Sequence, residues 1–445
     1  MSRKRSFVIG ALLLALPNIL QNLVTNLAAL VDNLMVGGLQ EHAIAGVTIT
    51  NQVVFIVTIV LFGIGGTAGI FIPQYKGIGN EEKMTEVFKV SLILSVAVGI
   101  FFFLVSFFFS DAVLSIFATE TATLQEAQIY LRYVQFTFLI LPITLAIGGA
   151  FRFSGFVKIP MYLAILTVII STVLNFALIN GNLGAPALGV AGAGIGTLIA
   201  RMVELVVFLL LTVYIKSPVK IKLATFFKLE GTMFRRFIEK GYGLVLNEFF
   251  WAFGMQAVTI IYTMRISENI AAMSIASTFS KLVFVGIGGM SVVFSIYLGE
   301  YLGRNDFDKA KMDARRLKTI SAFMGLTLGI IVLIVSVFLV DFFDVTPHVR
   351  NMGMTILVIQ VSLSWLYYLN GSYYFILRSG GDTKGVLIID SLFTWAIMIP
   401  AAFLVGFFGL PLPIHFFIIQ LFELVKLTLA HGLYKKARWL NNLTV

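Results

Sequence analysis

The 445-residue sequence contains no cysteine, which excludes disulfide bonds, thiolate metal sites and a cysteine nucleophile. It has only four histidines, His42, His348, His415 and His431, and no two of them form a His-x-x-x-His pair. Charged residues make up 12% of the chain, about half the proportion typical of soluble domains. These scarcities argue against a metalloenzyme and against an ordinary soluble protein.

Hydrophobic residues make up 59% of the chain and are distributed from end to end. A bilayer core requires about 20 apolar residues in a helix. Twelve such runs are predicted to be membrane-spanning helices, and they cover 7–36, 43–73, 87–109, 128–151, 159–181, 188–215, 236–263, 268–298, 317–340, 349–377, 384–409 and 411–434. The first run is too long for a signal-peptide core, so we expect a span there rather than a cleaved signal. The prediction is an all-α membrane protein with twelve transmembrane helices.

The basic residues predict the orientation of these spans, because lysine and arginine collect on the cytoplasmic side of a membrane. With the N-terminus in the cytoplasm, 27 of the 32 lysines and arginines fall on that side. Only Arg265 and Arg350 fall outside, and Arg132, Arg201 and Lys281 fall within spans. The distribution of the +10 net charge therefore indicates insertion into a membrane, with both termini cytoplasmic, rather than nucleic-acid binding.

An internal repeat becomes visible when the sequence is shifted by 226 residues along itself. The coinciding positions include Tyr75 with Tyr301, Gly77 with Gly303, Arg152 with Arg378, Gly155 with Gly381 and Lys158 with Lys384. The repeat predicts two pseudo-symmetric six-helix lobes, 1–215 and 236–445, joined by a cytoplasmic loop at 216–235. Since six is an even number, both lobes have the same orientation, and a site is expected between or within them near the midplane.

A twelve-span chain with a two-fold repeat is typical of a secondary transporter. No G-x-x-x-x-G-K-[ST] motif is present, so an ion gradient is the expected energy source unless transport is passive. A membrane-embedded transferase is a weaker alternative, because it needs paired catalytic groups at a membrane face. We therefore expect a transporter without enzyme activity and without a cofactor other than a coupling ion.

Ordered motifs along the chain carry a family resemblance. They are Asp32-Asn33-Leu34-Met35-Val36-Gly37 in span 1, Asn51-Gln52 in span 2, Leu174-Asn175-Phe176 in span 5, Arg378-Ser379-Gly380-Gly381-Asp382-Thr383-Lys384 after span 10, and Trp395 and Pro400 in span 11. Together they resemble the multidrug and toxic compound extrusion (MATE) family of the MOP flippase superfamily. The resemblance implies a monomer with two lobes in a V, embedded in membrane lipid. It also implies export of small organic, often cationic, compounds against inward flow of Na⁺ or H⁺.

A lipid-linked oligosaccharide flippase of the same superfamily is the alternative function. Such a flippase should carry a cationic central cavity for a pyrophosphate headgroup. Apart from Lys281 and Arg201, basic residues are scarce near the predicted midplane, which argues against this alternative.

Asp32 is the first candidate for the coupling site, because a charge inside a membrane helix is costly and is usually functional. It ends one face of span 1 formed by Gln21, Thr25, Ala28 and Asp32, and this face is polar apart from Ala28. Its carboxylate can bind Na⁺ or accept a proton.

The resemblance implies that three further residues complete the cation site with Asp32. They are Ser171 and Asn175 of span 5 and Thr197 of span 6. Asn175 departs from family members that have aspartate at this position, and leaves one carboxylate rather than two. For Ser171 and Thr197, a hydrogen bond to a carbonyl of their own helix is the structural alternative.

A second set of candidates could bind substrate or form a second coupling site. It comprises Glu248, Lys281, Asp390, Asn51, Gln52, Trp251, Tyr367 and Asn370. Glu248 and Lys281 lie at comparable depth in spans 7 and 8, which favours an ion pair that is either a structural pin or a switch. Asp390 is either a second-lobe site or an inner-interface residue, and the aromatic residues suit flat organic cations.

Two charged pairs are predicted to be structural. Arg201 and Glu204 of span 6, and Glu423 and Lys426 of span 12, are three residues apart on one helix. This spacing favours an ion pair within the helix.

Overall fold

The computed structural model describes residues 3–214, 230–264, 267–343 and 345–445, and over these ranges it contains helices and no β-strand. The α-helices are α1 (Arg3–Gly37), α2 (Glu41–Gly77), α3 (Glu81–Phe108), α4 (Ser110–Ser115), α5 (Thr121–Val134), α6 (Thr137–Phe153), α7 (Lys158–Asn180), α8 (Val190–Tyr214), α9 (Gly231–Thr263), α10 (Ser267–Gly303), α11 (Phe307–Leu339), α12 (Pro347–Ser362), α13 (Ser364–Ser379), α14 (Thr383–Leu387), α15 (Ile399–Phe407) and α16 (Leu412–Lys435). The predicted loop at 216–235 lies mostly outside the described residues.

The membrane-spanning helices confirm the predicted all-α class. Ten segments in the described ranges are long and apolar enough to cross a membrane, and up to twelve if each bent helix pair is one span. The bent pairs are α5 with α6, at 51°, and α12 with α13, at 50°. The apolar runs 128–151 and 349–377 predicted single spans, because hydrophobicity does not reveal a bend.

The span after α13 is also irregular. Between α14 and α15 the chain forms two π-helical turns, Ile388–Leu392 and Thr394–Met398. A π-turn widens the helix by one residue and often occurs at functional positions. Asp390 lies in the first of these turns.

The predicted repeat is visible in the element bounds. Helices α2 and α10 begin and end 226 residues apart, and so do the starts of α3 and α11. The residues before α3 and α11 also match, because Asn80 and Asp306 each accept a hydrogen bond from the third backbone N–H that follows. The turn residues Gly79 and Asn305 both have a left-handed backbone, with φ of 71° and 59°.

The chain forms two compact units. The N-terminal unit consists of Leu20–Ile72 and Asn80–Gly241, and the C-terminal unit consists of Met1–Ile19, Pro73–Gly79 and Tyr242–Val445. Each unit has its own buried apolar core. The division at 1–215, 216–235 and 236–445 stays a prediction.

Within the C-terminal unit, the ends of α2 and α10 meet through glycine. A Cβ on Gly77 would lie 2.4 Å from the carbonyl oxygen of Glu300, and a Cβ on Gly303 would lie 2.1 Å from that of Gln74. Lys76 Nζ pairs with Glu300 Oε1 at 2.8 Å, and Gln74 Oε1 accepts from the Leu443 N–H at 2.7 Å. The C-terminal segment thus packs on this crossing.

Candidate functional site

Asp32 and Asn175 come together near the ends of two helices of the N-terminal unit. Each lies five residues before the end of its helix, α1 and α7 respectively. Asn175 Nδ2 donates a hydrogen bond to Asp32 Oδ1 at 2.9 Å. Asp32 is half-buried, whereas Asn175 is only 2% exposed. Two of the predicted coupling residues therefore form one contact.

The carboxamide oxygen of Asn175 is buried and accepts no hydrogen bond from the described residues. It points at α8, where a Cβ on Gly196 would lie 2.3 Å from it. Buried polar atoms are nearly always paired, so an orphaned acceptor in a side chain that contacts a carboxylate needs an explanation. Two oxygen atoms of this kind provide ligands that a hard cation prefers.

The other predicted members of this site lie on adjoining helices. Thr197 follows Gly196 on α8 and interacts with the hydroxyl of Tyr130, a buried residue of α5. Ser171 lies one helical turn before Asn175 on α7. The roles of Ser171 and Thr197 as ligands stay predictions.

The two charged pairs that were predicted to be intrahelical have different outcomes. Arg201 Nη1 pairs with Glu204 Oε2 at 2.7 Å, as predicted. Lys426 Nζ instead pairs with Asp390 Oδ1 at 2.8 Å. The intrahelical pair between Glu423 and Lys426 is therefore wrong, because the nearly buried Asp390 recruits the lysine as its counter-charge.

Asp390 is held by a second contact besides the lysine. Asn247 Nδ2 of α9 donates to Asp390 Oδ2 at 3.2 Å. Ser391 Oγ donates to Asn247 Oδ1 at 2.8 Å and so orients this carboxamide. Sequence reasoning singled out Asp390 but missed Asn247, Ser391 and the pairing of Lys426. One available signal is spacing, because Asn247 and Asp390 are 143 residues apart, as are Asp32 and Asn175.

Glu248 contacts α13 rather than α10. Tyr374 Oη donates to Glu248 Oε1 at 3.0 Å, and the Arg378 charge acts on the same carboxyl group. Lys281 is exposed, and no ion pair joins it to Glu248 in the described ranges. The predicted pair is wrong because Glu248 already has partners on α13.

The remaining candidates are dispersed over the two units. Asn51 and Gln52 lie on α2 in the N-terminal unit, and Asn51 is exposed. In the C-terminal unit Trp251 is exposed, Tyr367 Oη donates to Gln420 Oε1, and Asn370 Nδ2 donates to Glu423 Oε2 at 2.7 Å. A role of these residues in substrate binding stays a prediction. The described residues contain no group of three or more metal-ligating His, Asp or Glu side chains.

Comparisons with known proteins agree over nearly the whole chain. The family model MatE matches residues 17–177 and 245–404. The probable multidrug resistance protein NorM of Thermotoga maritima is 23% identical over 401 residues, 90% of this chain and 86% of NorM. The uncharacterized transporter YisQ of Bacillus subtilis is 23% identical over 377 residues, 84% of this chain and 82% of YisQ.

Solved structures share the fold. An outward-facing multidrug resistance transporter of the MATE family and MOP superfamily matches with a TM-score of 0.86 at 18% identity, covering 96% of this chain and 95% of its own. A MOP superfamily transporter from Pyrococcus furiosus, for which a binding pocket of reverse polarity suggests a different function, matches with a TM-score of 0.85 at 18% identity, covering the same shares.

Proposed function

The chain belongs to the MATE family of membrane transporters, and on this premise we propose that it exports small organic cations in exchange for inward-moving Na⁺ or H⁺. The names of its relatives support multidrug efflux, since NorM of Thermotoga maritima is described as a probable multidrug resistance protein. The proposed location is the plasma membrane, with both termini in the cytoplasm and the chain acting as a monomer.

The observation that carries the coupling site is the contact of Asn175 Nδ2 with the Asp32 carboxylate, in a carboxamide whose own oxygen is buried without a hydrogen bond from the described residues. A carboxylate in an apolar helix is costly unless something neutralises it. Na⁺ would be bound by the Asp32 carboxylate and, once the carboxamide rotates, by the Asn175 oxygen, whereas H⁺ would bind the carboxylate alone. Either ion removes the charge and makes the site compatible with an apolar environment.

Coupling requires that the ion and the substrate each bind the two transport states with different affinity. Neutralisation of Asp32 provides this difference for the ion, because a charged and a neutral side chain tolerate different degrees of desolvation. For the substrate, exposed aromatic side chains such as Trp251 support cation–π binding of flat organic cations.

The test is accumulation of ethidium, a flat cationic dye, in everted membrane vesicles. A luminal Na⁺ excess and a luminal proton excess are imposed separately, since the lumen of such vesicles corresponds to the outside of the cell. We expect one of the two gradients to drive accumulation. Asp32→Asn should slow it by about tenfold or more, the equivalent of about 1.4 kcal/mol.

The matched control is Asp308→Asn, which removes a fully exposed carboxylate on α11 and should leave accumulation unchanged. Accumulation without either gradient, or an Asp32→Asn variant as active as the wild type, would show that Asp32 does not couple transport. If ethidium stays outside while a lipid-linked pyrophosphate crosses the membrane, the flippase alternative is supported instead.

A further inference from the structure

The same two spans are joined by a carboxylate–carboxamide contact in each half of the chain, but with the residue types exchanged. In the N-terminal unit the aspartate is on span 1 and the asparagine on span 5, with 2.9 Å between Asp32 Oδ1 and Asn175 Nδ2. In the C-terminal unit Asn247 is on span 7 and Asp390 on span 11, with 3.2 Å between Nδ2 and Oδ2. We propose that the C-terminal pair is a second cation site in which the Lys426 ammonium is the resident cation.

The second pair does not occupy the positions that the 226-residue repeat makes equivalent to those of the first pair. The repeat relates Asp32 to Val258 and Asn175 to Ala401, and both of these are apolar. Asn247 and Asp390 lie eleven residues earlier on their spans, which is roughly 16 Å along a helix. Each half therefore has one such pair, at a different level of the same two spans.

The geometry around Asp390 is that of a built site. Asp390 and Lys426 are only 14% and 13% exposed, and both carboxylate oxygens have a donor, Lys426 Nζ at 2.8 Å and Asn247 Nδ2 at 3.2 Å. Ser391 fixes the Asn247 carboxamide so that its N–H group faces the carboxylate. The π-helical turn Ile388–Leu392 presents Asp390 in this arrangement.

The charges near Lys426 show that the site is built for a cation. The ammonium is paired directly with Asp390, and the charge of Glu423 also acts on it without an ion pair between the two. Asn370, which donates to Glu423, has a carboxamide oxygen that accepts no hydrogen bond from the described residues, and the side chain is only 4% exposed. The lysine thus has one directly paired carboxylate, Asp390, and a second carboxylate, Glu423, whose charge also acts on it. Farther out, the charge of Arg378 acts on Glu248.

This arrangement has a consequence for ion dependence. With Lys426 in place the site requires no ion from solution, and the C-terminal unit does not compete with Asp32 for the coupling ion. Without the lysine side chain, the same oxygens should bind a small cation from solution. A lysine that serves only as a structural pin would leave no such affinity behind.

The experiment measures thermal unfolding of the purified full-length protein in detergent, in an Asp32→Asn background that removes the first site. Lys426→Ala is titrated with NaCl or methylammonium chloride, from about 5 to about 500 mM, with choline chloride keeping the ionic strength constant. We expect one of the two small cations to raise Tm by about 2 to 4 °C, because a ligand that binds only the folded state stabilises it. Choline is too large for the site and should have no effect.

Two control variants separate this site from a general salt effect. Lys426→Arg retains a resident cation, and Lys426→Ala combined with Asp390→Asn removes the carboxylate, so neither should respond. If Lys426→Ala does not fold, Lys426→Met removes the ammonium while keeping an unbranched apolar side chain of similar length, and it should show the same stabilisation. Equal Tm in Na⁺, methylammonium and choline for the responsive variants would overturn the proposal. None of these outcomes depends on whether Asp32 couples transport.

Discussion

At the scale of single residues, the coupling site depends on a glycine. Gly196 allows α8 to approach Asn175 so closely that a Cβ would lie 2.3 Å from Oδ1. The Asn175 carboxamide can therefore occupy its position only because residue 196 of α8 has no side chain.

Gly196→Ala is expected to displace the Asn175 carboxamide and to weaken coupling. Because the carboxamide must move to make room for the new Cβ, gradient-driven ethidium accumulation should fall by about tenfold, the equivalent of about 1.4 kcal/mol. Gly65→Ala is the matched control, because a Cβ on this helical glycine of α2 meets no atom within 4 Å. Equal accumulation by the two variants would contradict the assigned position of Asn175.

The sequence predicted individual site residues unequally. Asp32 is recognisable because it is a carboxylate in an apolar run, and the family resemblance added Asn175. The partner of Lys426 was missed, because Glu423 is its neighbour on the helix whereas Asp390 is 36 residues away along the chain. Local spacing predicts a pair only when no better partner is supplied by another helix.

At the scale of elements, equivalent helix starts use different caps. Asn80 caps α3, and Asp306 caps α11 with an additional bond from Lys309 Nζ at 2.6 Å. This hydrogen bond holds the pKa of Asp306 below its usual value. The stabilisation is therefore fully present above the ordinary aspartate pKa and is lost as the pH falls through the lowered pKa.

Asp306→Ala is expected to lower Tm by about 1 to 3 °C at neutral pH and by progressively less toward pH 3. Asn80→Ala should lower Tm by an amount that does not change with pH, because a carboxamide does not titrate in this range. Thermal unfolding in detergent between pH 7 and pH 3 measures both differences. Parallel pH profiles for the two variants would contradict the role of the Asp306 charge.

Element existence was predicted better than element shape. Apolar runs located the spans, because each run has the length that a bilayer requires. The bends at Gln135 and Leu363 and the π-turns around Asp390 were not predicted, because they arise where a helix adapts to its neighbours and leave no mark in hydrophobicity.

At the scale of the whole molecule, orientation in the membrane can be tested without first removing any cysteine, since the chain has none. The predicted topology places Thr119 outside and Asp308 in the cytoplasm, and both are exposed. In intact cells a membrane-impermeant maleimide should label Thr119→Cys, and Asp308→Cys only after permeabilisation. The reverse labelling pattern would contradict the distribution of basic residues as a guide to topology.

The 226-residue repeat was predicted from the sequence, whereas the composition of the compact units was not. The C-terminal unit includes Met1–Ile19 and Pro73–Gly79, which are far from it along the chain. A shift of the sequence on itself detects equivalent elements, but it has no information about which elements pack together.

The crossing of α2 and α10 indicates how the chain evolved. The repeat relates Gln74 to Glu300 and Gly77 to Gly303, so the contact of Gly77 with Glu300 and that of Gly303 with Gln74 are equivalent. A contact that maps onto itself in this way is the isologous interface of a homodimer. Gene duplication and fusion of a six-span subunit would preserve this interface. The sequences of the two halves could then diverge. The ion pair of Glu300 with Lys76 has no counterpart at Gln74, and it is a difference that two identical subunits cannot have.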